Sequence, residues 1–159
     1  VLRDVARGLH ALHAEELVHT DVKPANVVVT SRGAVLVDFD LARTPAMLAR
    51  ETNRLLGTPG YLAPERLLGR LDPSRAYAID LYALGVVAYE LLTGRAPFVA
   101  ATPSALARLH LSAAPDPLRA HCTDAPAALE RLVARLLARD PAERPGSASE
   151  VLATLSALA

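Results

Sequence analysis

Hydrophobic positions change their period several times along this 159-residue chain, and each change predicts an element. Leu2, Val5, Leu9, Leu12 and His13 recur at helical spacing and give way at Glu15-Glu16, which predicts an amphipathic helix from Val1 to Ala14. Val27-Val28-Val29-Thr30 and Ala34-Val35-Leu36-Val37 are short β-branched runs around Ser31-Arg32-Gly33, the pattern of a hairpin. From Leu41 to Pro64 three prolines, two glycines and several threonines predict a long loop, of a length that is usually functional. From Ala76 to Leu92 apolar residues run nearly all round, as in a helix buried on every side. Further helical patterns cover Pro103 to Leu111, Ala125 to Ala138 and Ser147 to Leu158. Asp124 is placed to cap the second, and Ser147 with Glu150 spells a capping box on the third. The expected product is a mostly helical domain with one small hairpin beside its polar motifs.

Composition narrows the picture. A hydrophobic content of 52% with 17 basic and 17 acidic residues suits a single packed domain and excludes a disordered tail. The balance gives no bulk electrostatic reason to expect nucleic acid or anionic lipid as a partner. Aromatics at 4% and no tryptophan leave an aliphatic core. Cys122 stands alone, so an internal disulfide and a cysteine metal cage are excluded, which fits a reducing, cytoplasmic location. The longest apolar stretch, Leu81 to Leu92, is too short for a bilayer and contains Glu90, and no signal peptide precedes the first helix. The chain therefore reads as soluble, with no membrane segment. It begins at Val1, already inside a helical pattern, which suggests a piece of something longer.

The most informative residue is Lys23, the only lysine among the 17 basic residues. It sits in the run His19-Thr20-Asp21-Val22-Lys23-Pro24-Ala25-Asn26, with Asp38-Phe39-Asp40 following Asn26 by twelve residues. A compact ammonium beside a carboxylate and an amide is apparatus for phosphate and a hard metal ion. Asp21 and Asn26 also suit a turn around Pro24, and only the later motifs weigh against that plainer role. His10 and His13 lie three apart on one helix face, but no third ligand follows at suitable spacing, so both read as core or surface histidines.

In this order the motifs resemble the protein kinase family, over essentially the whole chain. Residues 19–26 look like the catalytic loop H-R-D-x-K-P-x-N, and 38–40 like the metal-binding D-F-G. Gly57-Thr58-Pro59-Gly60-Tyr61-Leu62-Ala63-Pro64-Glu65 looks like the end of the activation segment, which by this alignment spans 38–65. Asp80 to Gly85 and Asp140 to Pro145 match two further landmarks. The resemblance implies a serine/threonine protein kinase of bacterial type, consistent with a composition that suggests a GC-rich genome. It uses ATP and Mg²⁺ on a protein substrate. In that reading Asp21 accepts or orients the proton of the substrate hydroxyl, and Lys23 neutralises charge on the moving phosphate. Asn26 and Asp38 hold Mg²⁺, and Thr58 contacts the catalytic aspartate. His19 packs under Phe39, Asp80 takes backbone amides of the catalytic loop, and Glu65 with Arg144 forms a buried ion pair. A small-molecule phosphotransferase of the same fold has no need for residues 57–65.

Three departures matter. Thr20 stands where the family commonly has an arginine that reads a phosphate on the activation segment, so phosphorylation of Thr44 or Thr52 is expected to do little by that route. Asp40 replaces a glycine, which predicts a more restricted metal-binding turn and an extra carboxylate near Asp38. No glycine-rich loop or second lysine is present, so the chain is expected to be the C-terminal lobe of the kinase fold without its N-terminal lobe. A lobe or partner covering the exposed cleft is implied, and ATP binding by the lone chain should be weak. The alternative is a non-catalytic, pseudokinase-like protein-binding module.

Overall fold

The computed structural model describes residues 1–51 and 56–158. It is mainly helical: α1 (Leu2–Ala14), α2 (Pro45–Arg50), α3 (Pro64–Leu67), α4 (Ala78–Thr93), α5 (Pro103–Ser112), α6 (Ala127–Leu136) and α7 (Ala148–Ser156). The antiparallel pair β1 (Val27–Thr30) and β2 (Gly33–Leu36) is the sheet among these residues. Single 3₁₀ turns at Pro24–Asn26, Pro59–Tyr61, Pro73–Arg75, Leu118–Ala120 and Pro141–Glu143 each start with proline or leucine and redirect the chain between elements.

The organising element is α4. Its apolar residues point two ways because it separates two cores. On one face Leu81, Leu84 and Val87 meet Val5 and Leu9 of α1, Leu132 and Leu136 of α6 and Val151 of α7. On the other, Ile79, Tyr82, Val86 and Tyr89 meet Val18, Leu48, Leu118 and Val133. Gly85 lets α6 come close, since a Cβ there would stand 2.7 Å from the Leu136 Cβ. The stretch Pro73–Thr93 is long and apolar enough to cross a membrane, yet 72% of its most apolar window is buried inside the protein, as in a core helix.

Several boundaries differ from the sequence expectation. The hairpin pairs Thr30 with Gly33, so two residues rather than three make the turn, and β2 ends at Leu36. The expected loop at 41–64 contains α2, started by Thr44, whose hydroxyl accepts from the Met47 amide, and by Pro45 at the first helical position. Asp124 does not cap α6. Pro126 disfavours helical angles at Ala125, so the helix opens after the proline, at Ala127. At α7 half the capping box forms: Ser147 Oγ accepts from the Glu150 amide, while the Glu150 carboxylate takes the Gly146 amide and pairs with Arg135.

Tyr82 and His110 tie α5 to α4 through a 2.7 Å hydrogen bond between the phenol and Nδ1. His110 is 1% exposed, packs against Phe98 and has no partner at Nε2 among the described residues. A proton added here would place charge in an apolar pocket, and burial lowers its pKa from 6.5 to about 4. The unfolded chain takes up this proton below pH 6.5 whereas the folded one resists until about pH 4. Stability from this group is thus complete above pH 6.5 and declines as pH falls toward 4, by on the order of 3 kcal/mol. Urea unfolding of wild type and His110→Gln between pH 7 and 4.5 should show the steeper acid loss in wild type. Parallel pH profiles would refute the assignment.

Candidate active site

The catalytic-loop segment enters the site from α1 through Val18, whose amide and carbonyl pair with Arg43 at 2.8 and 3.0 Å. The next two amides end on one buried carboxylate. His19 N–H donates to Asp80 Oδ2 at 2.8 Å and Thr20 N–H to Oδ1 at 2.9 Å. This matches the partners expected for Asp80. His13 adds a third contact, its Nε2 lying 2.9 Å from Asp80 Oδ2. Sequence reasoning left His13 without a role, because helical periodicity reveals its face but not a partner 67 residues away.

His19 is wholly buried. Its Nε2 lies 3.2 Å from the Val37 carbonyl, its Nδ1 accepts from the Asp21 amide at 3.4 Å, and its ring meets Phe39 at 5.3 Å between centroids. It therefore links the loop carrying Asp21 to the strand end that delivers Asp38. Two backbone positions flanking this link are left-handed without being glycine, Thr20 at φ 70° and Asp38 at φ 69°. Such conformations cost roughly 1–3 kcal/mol each and persist only where surrounding contacts enforce them. Thr20 is held by Asp80 and by its own hydroxyl, which donates to the Leu41 carbonyl at 2.8 Å. Asp40 takes no left-handed angle, so the restriction expected from losing a glycine there does not arise.

Asp21, Lys23 and Thr58 form a closed triangle. Lys23 Nζ is 2.6 Å from Asp21 Oδ2 and donates to Thr58 Oγ1 at 2.9 Å, and Thr58 Oγ1 donates to Asp21 Oδ1 at 2.8 Å. Asn26 Nδ2 donates to the Asp21 carbonyl at 2.9 Å and to Oδ2 at 3.3 Å, which leaves its amide oxygen for another group. Burial pushes the Asp21 carboxyl up, but hydrogen bonds from Lys23 and Thr58 and the Lys23 charge outweigh it and hold the group below its usual range. Asp21 is an anion at neutral pH and a weak base, suited to orienting a hydroxyl. Gly57 makes the triangle possible: at φ 107° it passes so close that a Cβ would stand 2.7 Å from the Thr20 carbonyl. Nothing local in the sequence signals this steric role, because the carbonyl it clears belongs to a residue 37 positions away.

The Asp38 side is open. Asp38 and Phe39 are exposed, and the Asp38 carboxylate has no hydrogen-bond or ion-pair partner among the described residues. Val37 N–H donates to the Asn26 carbonyl at 2.9 Å, extending the hairpin ladder and setting Asp38 beside the Asn26 end of the loop. Beyond the site, Glu65 and Arg144 form the expected buried pair, with contacts of 2.7 and 2.8 Å. Thr52 lies outside the described residues.

Comparison with known proteins agrees with this geometry. The family model described as "Protein kinase domain" matches residues 1–155. Serine/threonine-protein kinase PknL of Mycobacterium tuberculosis H37Rv is 40% identical over 162 residues, covering 100% of this chain and 40% of the relative. PknB of Mycolicibacterium smegmatis is 35% identical over 159 residues, covering 98% of this chain and 25% of the relative. PksC of Streptomyces coelicolor is 41% identical over 152 residues, covering 93% and 27%. The chain thus spans well under half the length of these curated relatives. Matched along nearly its whole length both by the family pattern and by bacterial serine/threonine kinases, it belongs to the protein kinase family.

Proposed function

We propose that this chain is the catalytic and substrate-binding C-terminal lobe of a serine/threonine protein kinase, transferring the γ-phosphate of ATP to a protein hydroxyl in the cytoplasm. The observation that carries the reading is the Asp21–Lys23–Thr58 triangle, which holds a carboxylate and an ammonium within 2.6 Å of each other in a half-buried loop. Phosphoryl transfer needs chiefly positioning and charge stabilisation. Asp21 orients the acceptor hydroxyl, Lys23 offsets charge on the transferred group, and Thr58 sets the distance between them.

The donor set fits Mg²⁺. Asn26 has an amide oxygen without a partner among the described residues and Asp38 an exposed carboxylate, both hard ligands. No cluster of three or more His, Cys, Asp or Glu suited to a metal occurs among the described residues, so an ion here would take its other ligands from phosphate and water. When bound, Mg²⁺ neutralises phosphate charge. Asn26 and Asp38 would hold it, while Asp21 and Lys23 act on the hydroxyl side.

The lobe assignment is supported by exposed apolar side chains on and beside the hairpin. Val28, Val29, Val35 and Phe39 are 48, 66, 54 and 51% exposed, an apolar surface suited to a second lobe or a partner. The decisive test is Mg²⁺-dependent ATP binding by calorimetry, on the chain alone and on the chain extended upstream by what its reading frame encodes. The extended form should bind, and Asp38→Ala should weaken binding by more than the roughly 10-fold that loss of an outer-sphere partner costs. Binding by neither form would turn the reading to a non-catalytic protein-binding module.

Control by phosphorylation at Thr44 is the second testable matter. No guanidinium stands at position 20, where the Thr20 hydroxyl already ties the catalytic loop to Leu41. Arg43 already faces Glu51 at 3.5 Å. Thr44→Ala should remove a helix cap worth about 1 kcal/mol yet leave kcat of the extended form within about twofold. A large loss of kcat would overturn this account.

A further inference from the structure

A cavity of about 480 Å³ opens between α4, the segment 113–118 and α6, with no wall from the catalytic loop or the activation segment. Its size is that of sites that take small ligands or one or two side chains. Val133 and Leu137 line it, and Tyr89 forms part of its wall while remaining only 3% exposed. The Tyr89 hydroxyl has no hydrogen-bond partner among the described residues and is not sealed from solvent, so it can donate into the cavity. Burial first, then the nearby Asp116 carboxylate, push this phenol's pKa up, so it keeps its proton as a donor.

The charged groups around the cavity are mostly acidic. Asp116, Glu130 and Glu143 line it against the single guanidinium of Arg139, whose Nη1 is engaged by the Ser112 carbonyl at 3.1 Å. His121 Nε2 holds Asp116 at 3.2 Å and sets its ring edge-on to Tyr89, 6.5 Å between centroids, so carboxylate and phenol are kept together. Glu130 takes the Arg119 amide at 3.1 Å, whereas the Glu143 carboxylate has no partner among the described residues. The Asp116 side chain is 74% exposed while Tyr89 is deeply buried, so a ligand meets charge at the mouth and apolar surface below.

We propose that this cavity receives a peptide segment that sets an aliphatic side chain against Val133 and Leu137 and an arginine or lysine against Asp116 and Glu143. The Tyr89 hydroxyl hydrogen-bonds the segment's backbone. A peptide carries charge and apolar bulk at the two different depths the cavity offers. The site is independent of phosphotransfer and stands whether or not the catalytic reading holds.

The experiment is an NMR titration of the isotopically labelled chain with an amidated hexapeptide, Ala-Leu-Arg-Leu-Arg-Ala, and with its counterpart carrying glutamate for arginine. Saturable shifts should appear at the amides of 113–118 and α6 with the basic peptide alone. Asp116→Asn and Glu143→Gln should each weaken binding by roughly 2- to 5-fold, the scale of exposed ion pairs. Tyr89→Phe, which keeps the ring, should weaken it by about 5-fold, the scale of one hydrogen bond. Melting curves establish that each variant is folded, and the unmodified chain carries the peptide comparison regardless. Equal binding of the acidic peptide, folded variants that bind like wild type, or no saturable shift in this region would overturn the proposal. Shifts there with hexylamine but not with the peptide would overturn the peptide as occupant.

Discussion

Asp80 lies in the mostly apolar helix α4 with 1% of its surface exposed, and a carboxylate so far from water needs donors close at hand. It has three: the His19 and Thr20 amides and the His13 ring nitrogen, at 2.8, 2.9 and 2.9 Å. The same contacts that satisfy Asp80 fix the backbone immediately before Asp21, including the left-handed Thr20 that local preference disfavours. Because α4 also separates the two cores and meets α6 at Gly85, this anchor belongs to the most constrained part of the molecule. The position of Asp21 is thereby coupled to the packing of the whole domain.

A second buried charge acts on the far end of the activation segment. Arg144 engages both oxygens of Glu65 and also donates to the carbonyls of Ala78, Ala138 and Arg139. Buried pairs of this kind gain little net energy over apolar packing, so their effect is best understood as placement. Residues 79 apart are joined, and the chain leading back through Leu62 to Thr58 and Gly57 arrives from a fixed direction. Asp80 positions one corner of the Asp21–Lys23–Thr58 triangle and Glu65 steadies the segment that bears another.

The long elements were legible because they depend on period alone. The predicted ends of α1 and α4 fall within two residues of those observed. The Asp21–Thr58 contact, the Asp80 amides and the Glu65–Arg144 pair were legible only through the resemblance, since no local pattern joins residues 37, 60 or 79 apart, and the Lys23 contacts that close the triangle were not legible at all. The Thr44-Pro45 start of α2 was present in the sequence, but three prolines weighted the segment toward loop. Asp124 misled because Ala125-Pro126 intervenes, and a proline constrains the residue before it. The strain at Thr20 and Asp38 had no sequence signal, because tertiary hydrogen bonds impose it on residues that would not choose it.

The site is unevenly built, and the unevenness follows the chemistry. On the hydroxyl side both Asp21 oxygens are engaged, the first by Thr58 and the second by Lys23 and Asn26. A carboxylate held so firmly, and below its usual pKa range, orients a hydroxyl better than it removes its proton. In the proposed reading positioning carries the hydroxyl side, and one of the two strained residues, Thr20, lies next to it. On the other side Asp38 is exposed and left-handed, with no cationic partner among the described residues, beside an amide oxygen that Asn26 leaves unused. An anion strained into place without a protein cation is suited to a mobile one. In the proposed reading, protein contacts complete the face that would align the acceptor, while the face toward the donor would be left to a divalent ion.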